Sequence, residues 1–240
     1  MLERRYAALV KSLRRLGMCA VLLLLVAGCT SPIAGAARPA PSPDRSAHDT
    51  SQAVALVRRA FTTYKRAALE QDGAAAVSVI SRTIYARYDK ARDMALRATA
   101  AEVDGAGASM QLLVYVFRAE VGREALQRKS ARELIVFAID NGLVSKHSLR
   151  LIELGAISVT GRRASAEVIL HGKTAPFNLE FQHNGAGWKL DMRSILSVAD
   201  KAFRALAKQS GITVAELVER TLIRRYGPAK AAELREPLIS

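Results

Sequence analysis

Apolar residues recur every three or four positions through the first half of the chain, and this spacing predicts amphipathic helices. The first helix is expected from Ala53, because the basic residues there fall mostly between the apolar positions. Gln71-Asp72-Gly73 interrupts the pattern, and a second helical region is expected over residues 74–103. The apolar positions of the first helix are Val54, Val57, Phe61, Tyr64 and Leu69.

The helical pattern continues, with breaks, as far as Gly142. Asp104-Gly105-Ala106-Gly107 ends the second region. Residues 109–120 fit either a helix or a strand, and we expect a helix because residues 124–142 again follow a helical pattern. Asn141-Gly142 is typical of a helix end, so the helical half of the domain is expected to finish there.

From Leu149 onwards the apolar period changes to two, which predicts antiparallel strands. Three turn segments (161–163, 171–173 and 183–187) separate four expected strands, and Gly155 is expected to bend the first strand. Apolar and polar residues alternate in the last two strands, so the sheet should have one dry face and one wet face. The dry positions are Phe177, Leu179, Phe181, Trp188, Leu190 and Met192, and Trp188 is predicted to be a core residue.

Two further helices are expected after the sheet. The second begins with a capping box at Thr213 and Glu216 and ends at Gly227-Pro228. Its apolar stripe either closes the open end of the core or docks a partner, and the sequence leaves both alternatives open. The stripe consists of Val214, Leu217, Val218, Leu222 and Ile223, and the candidate partner contacts on this helix are Leu217, Arg220 and Arg224.

Three features stand out in this pattern: the Phe61/Tyr64 helix, the Gln71-Asp72-Gly73 break and the strand Gly187-Trp188-Lys189-Leu190-Asp191. Together they resemble the nuclear transport factor 2-like superfamily over residues 51–197. The resemblance implies an α+β fold in which N-terminal helices pack on a curved antiparallel sheet (a cystatin-like cone), followed by C-terminal helices in residues 198–240. That fold hosts enzymes, ligand carriers and plain binding modules, so it does not by itself indicate a function.

The N-terminal residues 1–28 have the three parts of a secretory signal: a basic segment, an apolar run and the small pair Ala27-Gly28. Cys29 follows directly, and Leu25-Val26-Ala27-Gly28-Cys29 resembles the bacterial lipobox. This resemblance implies cleavage before Cys29, a diacylglycerol group on its thiol and an acylated new N-terminus. By resemblance to enterobacterial lipoprotein sorting, Thr30 in place of an aspartate implies the outer membrane, in a cell that has one, with the domain facing the periplasm.

The segment after the lipobox, residues 29–50, is rich in Pro, Ser and Ala and lacks an apolar period. This composition predicts a flexible tether between the lipid and the domain. Cys19 falls within the expected signal segment, so Cys29 is the one cysteine expected in the mature chain. We therefore expect no disulfide and no cysteine metal site.

The positive charge is open to two interpretations: contact with an anionic partner, or basic side chains on solvated helix faces. The full chain carries a net charge of +14, and loss of the signal segment removes five basic residues and one acid, which leaves +10. Nucleic acid is excluded as a partner for an exported protein. The expected partners are the lipid bilayer through acylated Cys29 and an envelope protein or an anionic surface, and self-association through the sheet is left open.

The sequence offers no catalytic chemistry, and we expect no catalytic residue, cofactor or metal. Of the four histidines, His48 lies in the expected tether and His147 before the first strand, while His171 and His183 lie at hairpin turns. No pair of histidines or carboxylates has metal-ligand spacing beside apolar supports. The candidate pocket residues Tyr85 and Tyr88 either line a pocket mouth or pack within an amphipathic helix.

Two classes of function remain. The first is a membrane-anchored envelope lipoprotein that acts as a non-catalytic binding module for a protein or a ligand. The alternative is a small-molecule-binding or enzymatic protein that uses the pocket between helices and sheet. Apolar inward positions favour the first class, whereas a buried acid or histidine in an open cavity would favour the second.

Overall fold

The computed structural model describes residues 43–239 of the chain. The expected signal segment 1–28, Cys29 and most of the expected tether therefore lie outside the described residues. The described part is mixed helix and sheet, with 11 α-helices and one open, four-stranded antiparallel sheet. This agrees with the expected combination of helices and an antiparallel sheet.

Eight of the described α-helices precede the sheet and three follow it. A 3₁₀ helix covers Arg82–Ile84, and a π-helical turn covers Phe117–Val121. The α-helices are α1 Pro43–Glu70, α2 Gly73–Ser78, α3 Tyr85–Arg97, α4 Ala100–Asp104, α5 Ala108–Val116, α6 Arg123–Arg128, α7 Ala131–Asp140, α8 Lys146–Leu151, α9 Arg193–Gln209, α10 Val214–Tyr226 and α11 Pro228–Glu233.

The sheet follows the chain order β1-β2-β3-β4, and every neighbouring pair is antiparallel. The register between β1 and β2 shifts between Leu154 and Ile157, which confirms the bend predicted at Gly155. Phe181 pairs with Leu190 across β3 and β4. The strands are β1 Ile152–Thr160, β2 Arg163–Leu170, β3 Lys173–His183 and β4 Trp188–Asp191.

Helix α1 contacts both edge strands of the sheet, β1 and β4. Val57, Phe61 and Tyr64 are buried on this side, as their helical spacing predicts. The helix begins at Pro43, before residue 51, where the domain is expected to begin, and so extends into the segment predicted to be a tether. Proline is favoured in the first turn, because its fixed φ suits a helix and its missing N–H would have no intrahelical partner there.

The single helical region expected over residues 74–103 is wrong, because the chain leaves helical geometry after α2. Ile80 forms a parallel bridge with Leu190. The N–H of Ser81 donates to the carbonyl of Leu190 at 2.8 Å, and the N–H of Leu190 donates to the carbonyl of Val79 at 2.8 Å. This short extended segment covers part of the β4 edge, where unpaired backbone groups would otherwise be exposed.

The first strand begins later than the sequence predicts, because Leu149 belongs to helix α8. Ser145 caps this helix, and its Oγ accepts a hydrogen bond from the N–H of Ser148 at 3.2 Å. The Leu149 side chain is buried in the core under the sheet. A segment of six residues is too short for its apolar period to distinguish a helix from a strand.

The described residues form two apolar cores. The sheet core lies between the sheet and α1, α2, α7 and α8, and it contains Trp188, which confirms that prediction. The helical core is built mainly from α3, α5 and α10, with Phe203 from α9. The α10 stripe therefore packs within the chain: Val218 and Leu222 are buried in the helical core, and Leu217 is half-buried against it.

Capping boxes set the starts of three helices in this arrangement. In α10, the predicted box is confirmed: the N–H of Thr213 donates to Glu216 Oε2 at 2.6 Å, and the N–H of Glu216 donates to Thr213 Oγ1 at 3.1 Å. Equivalent boxes begin α4 at Thr99 and α7 at Ser130. These side chains satisfy N–H groups that have no intrahelical partner.

Arg118 lies at the centre of the helical core and is only 4% exposed. It follows the apolar run of α5, in the π-helical turn. All five of its N–H groups donate to backbone carbonyls: Nε to Ala95 at 3.0 Å, Nη1 to Leu234 and Arg235 at 2.9 Å each, and Nη2 to Met94 at 3.1 Å and Ala98 at 2.5 Å.

These five carbonyls lie at the C-terminal ends of α3 and α11, where carbonyl groups lack intrahelical partners. A positive charge is also favoured there by the helix dipole. Burial lowers the pKa of Arg118, while the nearby Tyr115 and Glu236 act in the opposite direction. The guanidinium therefore joins the end of α3 to the last described helix.

We expect Arg118→Met to lower the free energy of unfolding by at least about 3 kcal/mol, because the change leaves several buried carbonyls without donors. Chemical unfolding of the variant would measure this loss. Arg123→Met, at an exposed position that begins α6, is the matched control and should change stability by less than about 0.5 kcal/mol. Similar losses in the two variants would contradict the role assigned to Arg118.

Candidate functional site

An apolar cavity of about 140 Å³, here called the sheet cavity, lies between α1, α8 and the sheet. Aromatic and aliphatic side chains from seven different elements, α1, α8, α9 and all four strands, form most of its wall. The cavity exists because α8 and the start of α9 stand over the dry face of the sheet without filling it. Its lining includes Phe61, Tyr64, Leu149, Phe177, Leu179 and Leu190.

A second cavity of about 120 Å³, here called the helix cavity, lies between α1, α3, α5, α7 and α9. Tyr64, Val144 and Met192 line both cavities, so these three side chains form the boundary between them. One end of the helix cavity is lined by polar side chains. That end is formed by Arg87, Tyr88 and Ser109, and the remaining lining includes Ile84, Leu113 and Leu196.

Met192 is held at this boundary by a hydrogen-bonded network at the preceding residue. Asp191 is 4% exposed and accepts hydrogen bonds from Thr83 Oγ1 at 3.1 Å and from Gln182 Nε2 at 3.0 Å. It also accepts from the backbone N–H of Arg193 at 3.1 Å and from its Nη2 at 2.6 Å. The network ties the end of β4 to the first turn of α9, with Met192 between them.

The charge of Asp191 depends on the same partners. Burial by itself would raise the pKa of this carboxyl, but hydrogen bonds and the charge of Arg193, with a further bond from Thr83, lower the pKa below its ordinary value. Asp191 is therefore ionised near neutral pH and contributes to stability in that form.

Arg87, in α3, brings a charge to the otherwise apolar helix cavity. Its Nη2 donates to Ser109 Oγ at 2.6 Å, and the N–H of Ser109 donates to Asp200 Oδ1 at 2.7 Å. The Nε atom of Arg87 is buried and has no hydrogen-bond partner among the described residues. Burial lowers the pKa of this guanidinium, and the charge of Asp200 opposes that effect.

Among the described residues, the cavity linings contain neither a carboxylate nor a histidine. His147 and His171 are exposed, and His171 adopts a left-handed φ of 51° in its hairpin. The His183 ring lies edge-on to Trp188 with 5.4 Å between ring centroids. The described linings have room for an apolar molecule, and the Arg87 guanidinium and the Tyr64 and Tyr88 hydroxyls are among their polar groups.

The two candidate tyrosines have different positions. Tyr88 lines the helix cavity, its ring lies 5.9 Å from that of Phe117, and burial raises its pKa to about 12. Tyr85 packs half-buried against the sheet core and lines neither cavity. Asp89 and Asp93 pair with Arg92 on the outer face of the same helix.

The three candidate contacts on α10 lie away from both cavities. Leu217 packs half-buried against the helical core, while Arg220 and Arg224 are exposed. The structure therefore brings Tyr88 to the cavities and leaves Leu217, Arg220 and Arg224 on a separate surface. Ile223, also on α10, is 39% exposed.

An open groove of about 500 Å³ runs between α1 and β1, and basic side chains cross it. Arg58 donates to the carbonyls of Leu154 at 3.0 Å and Gly155 at 2.7 Å. Lys65 donates to the carbonyl of Ile152 at 2.7 Å. Because these basic side chains donate hydrogen bonds to carbonyl groups of an edge strand, those carbonyls are less accessible for pairing of β1 with another strand.

Sequence reasoning missed Arg87 and Arg118, although both positions carried a signal. Arg87 lies three residues after the buried Ile84 and four before the buried Ala91, so it belongs to the apolar face of α3. Arg118 directly follows the apolar run of α5. A charged residue in register with a buried face is a sign of an internal partner.

No protein-family model, no curated protein and no solved structure matches the chain in the three comparisons made. Within residues 43–239, no helix has the length and apolar character needed to cross a membrane. In the same part of the chain, no three His, Cys, Asp or Glu side chains are grouped so that they could hold a metal ion.

We expect Asp191→Asn to lower the free energy of unfolding by about 2 kcal/mol at pH 7, because charge-assisted hydrogen bonds are lost. The folded-state pKa of Asp191 lies below that of an unfolded aspartate, which is about 3.9. Its contribution is therefore present above that value and is lost as pH falls through the folded-state pKa.

The measurement is urea unfolding of both proteins at pH 7 and in more acidic buffers, where the difference between them should shrink. Asp93→Asn is the control, since Asp93 is 58% exposed in its pair with Arg92 and should contribute little at any pH. A deficit in Asp191→Asn that stays constant down to pH 2 would show that its charge is not the stabilising feature.

Proposed function

We propose that this protein is a bacterial envelope lipoprotein whose folded domain is a non-catalytic binding module. The anchor is the lipid on Cys29, and its support is the stretch Leu25-Val26-Ala27-Gly28-Cys29 after a basic and apolar leader. Thr30 supports placement in the outer membrane, with the domain in the periplasm. Stable attachment requires more than one acyl chain, which a lipobox cysteine with an acylated N-terminus provides.

The observation that carries the binding function is the pair of adjoining cavities between helices and sheet. Well-packed domains have few voids larger than a water molecule, yet cavities of about 140 and 120 Å³ share three lining residues here. A cavity of about 150 Å³ with an apolar lining takes up a molecule the size of benzene. The site therefore suits a small apolar ligand better than a protein segment.

Binding is favoured over catalysis by the residues around the cavities. Of the described ionisable side chains, the cavity linings contain Arg87, Tyr64 and Tyr88, and neither a carboxylate nor a histidine. Arginine stays protonated and is a poor general base. The structural sign that would favour an enzyme, a buried acid or histidine in an open cavity, does not occur in these linings.

We also propose that the fold is an extended form of the nuclear transport factor 2-like cone. The support is the position of α1 across the sheet, with Phe61 and Tyr64 facing a cavity that also touches Leu190. The extension consists of the C-terminal helices α9, α10 and α11, which follow the last strand and contribute to the helical core.

We expect Cys29→Ala to abolish labelling by a palmitate analogue and to release the protein from membranes into the soluble fraction. Cys19→Ala is a close control, because it removes the other cysteine of the chain from within the expected signal segment. It should leave both labelling and membrane retention unchanged. Full retention of the Cys29→Ala protein in membranes would rule out this anchor.

We expect 1-octanol to bind the Cys29→Ala full chain, and Val144→Phe to weaken this binding at least tenfold. Val144 lines both cavities, so a larger side chain fills the space at their boundary. Isothermal titration calorimetry would measure the affinity. Val198→Phe is the matched control, because Val198 is half-buried on α9 and lines neither cavity. No octanol binding by the parent chain would overturn the cavity as the binding site.

A further inference from the structure

We propose that the ligand of the two cavities is a single-chain amphiphile with a compact anionic head, such as a medium-chain carboxylate, and that Arg87 binds the head. This inference rests on the proposed binding function and specifies the class of ligand. It assigns the helix cavity to the head and the sheet cavity to the end of the alkyl chain. Three features support this proposal: the buried Nε of Arg87 without a described acceptor, the absence of Arg87 from the salt bridges between described residues, and the shape of the two cavities.

The first feature is the donor. Buried N–H groups in folded proteins nearly always have a partner, and an exception calls for an explanation. Within the described part of the chain, Arg87 Nε and Gln111 Oε1 are the buried side-chain polar atoms without one. Of these two residues, Arg87 lines a cavity. A ligand oxygen in the helix cavity would supply the missing acceptor.

Arg118, a buried arginine with a structural role, provides a comparison for the hydrogen bonding of Arg87. All five of its donors are bonded to carbonyls, and it lies among tightly packed helices. Arg87 has a bond from Nη2 to Ser109 and leaves its buried Nε without an acceptor among the described residues. The contrast indicates that Arg87 is oriented by Ser109 and keeps a donor for a further molecule.

The second feature is the charge. None of the salt bridges between described residues involves Arg87. Asp200 influences it, but its carboxylate accepts from the N–H of Ser109 at the start of α5. Gly107 permits this approach, since a Cβ there would lie 2.9 Å from Asp200 Oδ2. The carboxylate thus holds the helix start, and an anionic head can neutralise Arg87 directly.

The third feature is the shape. The two cavities adjoin at Tyr64, Val144 and Met192, and each alone has the volume of a small ring. Methionine is flexible and adapts to irregular spaces, so a movement of Met192 can join the cavities into one channel. The channel suits one alkyl chain and is too small for a two-chain phospholipid. A cationic head would be repelled by the guanidinium.

The test compares three eight-carbon probes on the Cys29→Ala full chain by isothermal titration calorimetry: octanoate, 1-octanol and octylamine. We expect octanoate to bind at least about tenfold more tightly than 1-octanol, since a charge-assisted hydrogen bond replaces a neutral one. Octylamine should bind more weakly than either. Octyl phosphate in a parallel titration distinguishes a carboxylate head from a phosphate head.

Arg87→Met should reduce the preference for octanoate over 1-octanol to less than about threefold, because the donor and the charge are both removed. Retained octanol binding in this variant shows that the cavity is still folded. Arg97→Met, at an exposed position of the same helix, should keep the full preference.

Each outcome decides between the two proposals. Equal affinity for octanoate and octanol in the parent chain, or a preference that survives Arg87→Met, would overturn the anionic head and leave the binding function standing. Failure of all four probes to bind would overturn both. A preference for octyl phosphate alone would keep Arg87 as the anchor and assign the head as a phosphate.

Discussion

The described structure depends most on one buried guanidinium. Arg118 binds carbonyls near the end of α3 and others just after α11, so elements more than a hundred residues apart in sequence share one side chain. The nearby pair of Arg235 with Asp104, at 2.6 Å, reinforces the same junction. Because α3 also carries Arg87, the geometry of the helix cavity is fixed by a contact that lies outside it. Arginine suits this task because it offers five donors in one rigid plane and keeps its charge when buried.

The helix cavity occurs where the two cores meet, whereas the apolar lining of the sheet cavity belongs to the sheet core. Tyr88 packs against both the sheet core and the helical core, and Met192 joins β4 to α9. Each core is filled by its own elements, whereas the space between them must be closed by side chains that already have other partners. Such junctions are common places for ligands, since packing defects there cost less than in the centre of a core. The dry face of the sheet thus forms one wall of the sheet cavity, and Arg87 of α3 brings a positive charge to the helix cavity.

The sequence predicted the periodic parts of this architecture and missed the parts set by distant partners. Alternation along β3 and β4 placed Trp188 correctly, and a glycine inside a strand placed the β1 bulge. The interruption after α2 was missed because Ile80 leaves the helix in order to pair with Leu190, a partner 110 positions away that no local pattern records. Whether a cavity lies between helices and sheet was left open for a related reason: an unfilled space depends on how elements pack, and binary patterning describes only which faces are buried.

The early start of α1 sets a limit on where the domain can operate. Fourteen positions separate Cys29 from Pro43. An extended chain spans at most about 3.3–3.6 Å per residue. An acylated Cys29 would therefore keep the start of α1 within about 50 Å of the lipid surface. A domain that began at Ser51 would have a tether more than half as long again as the one that ends at Pro43. If Cys29 is acylated as proposed, the domain samples a shallow layer beside the bilayer rather than the whole depth of the compartment.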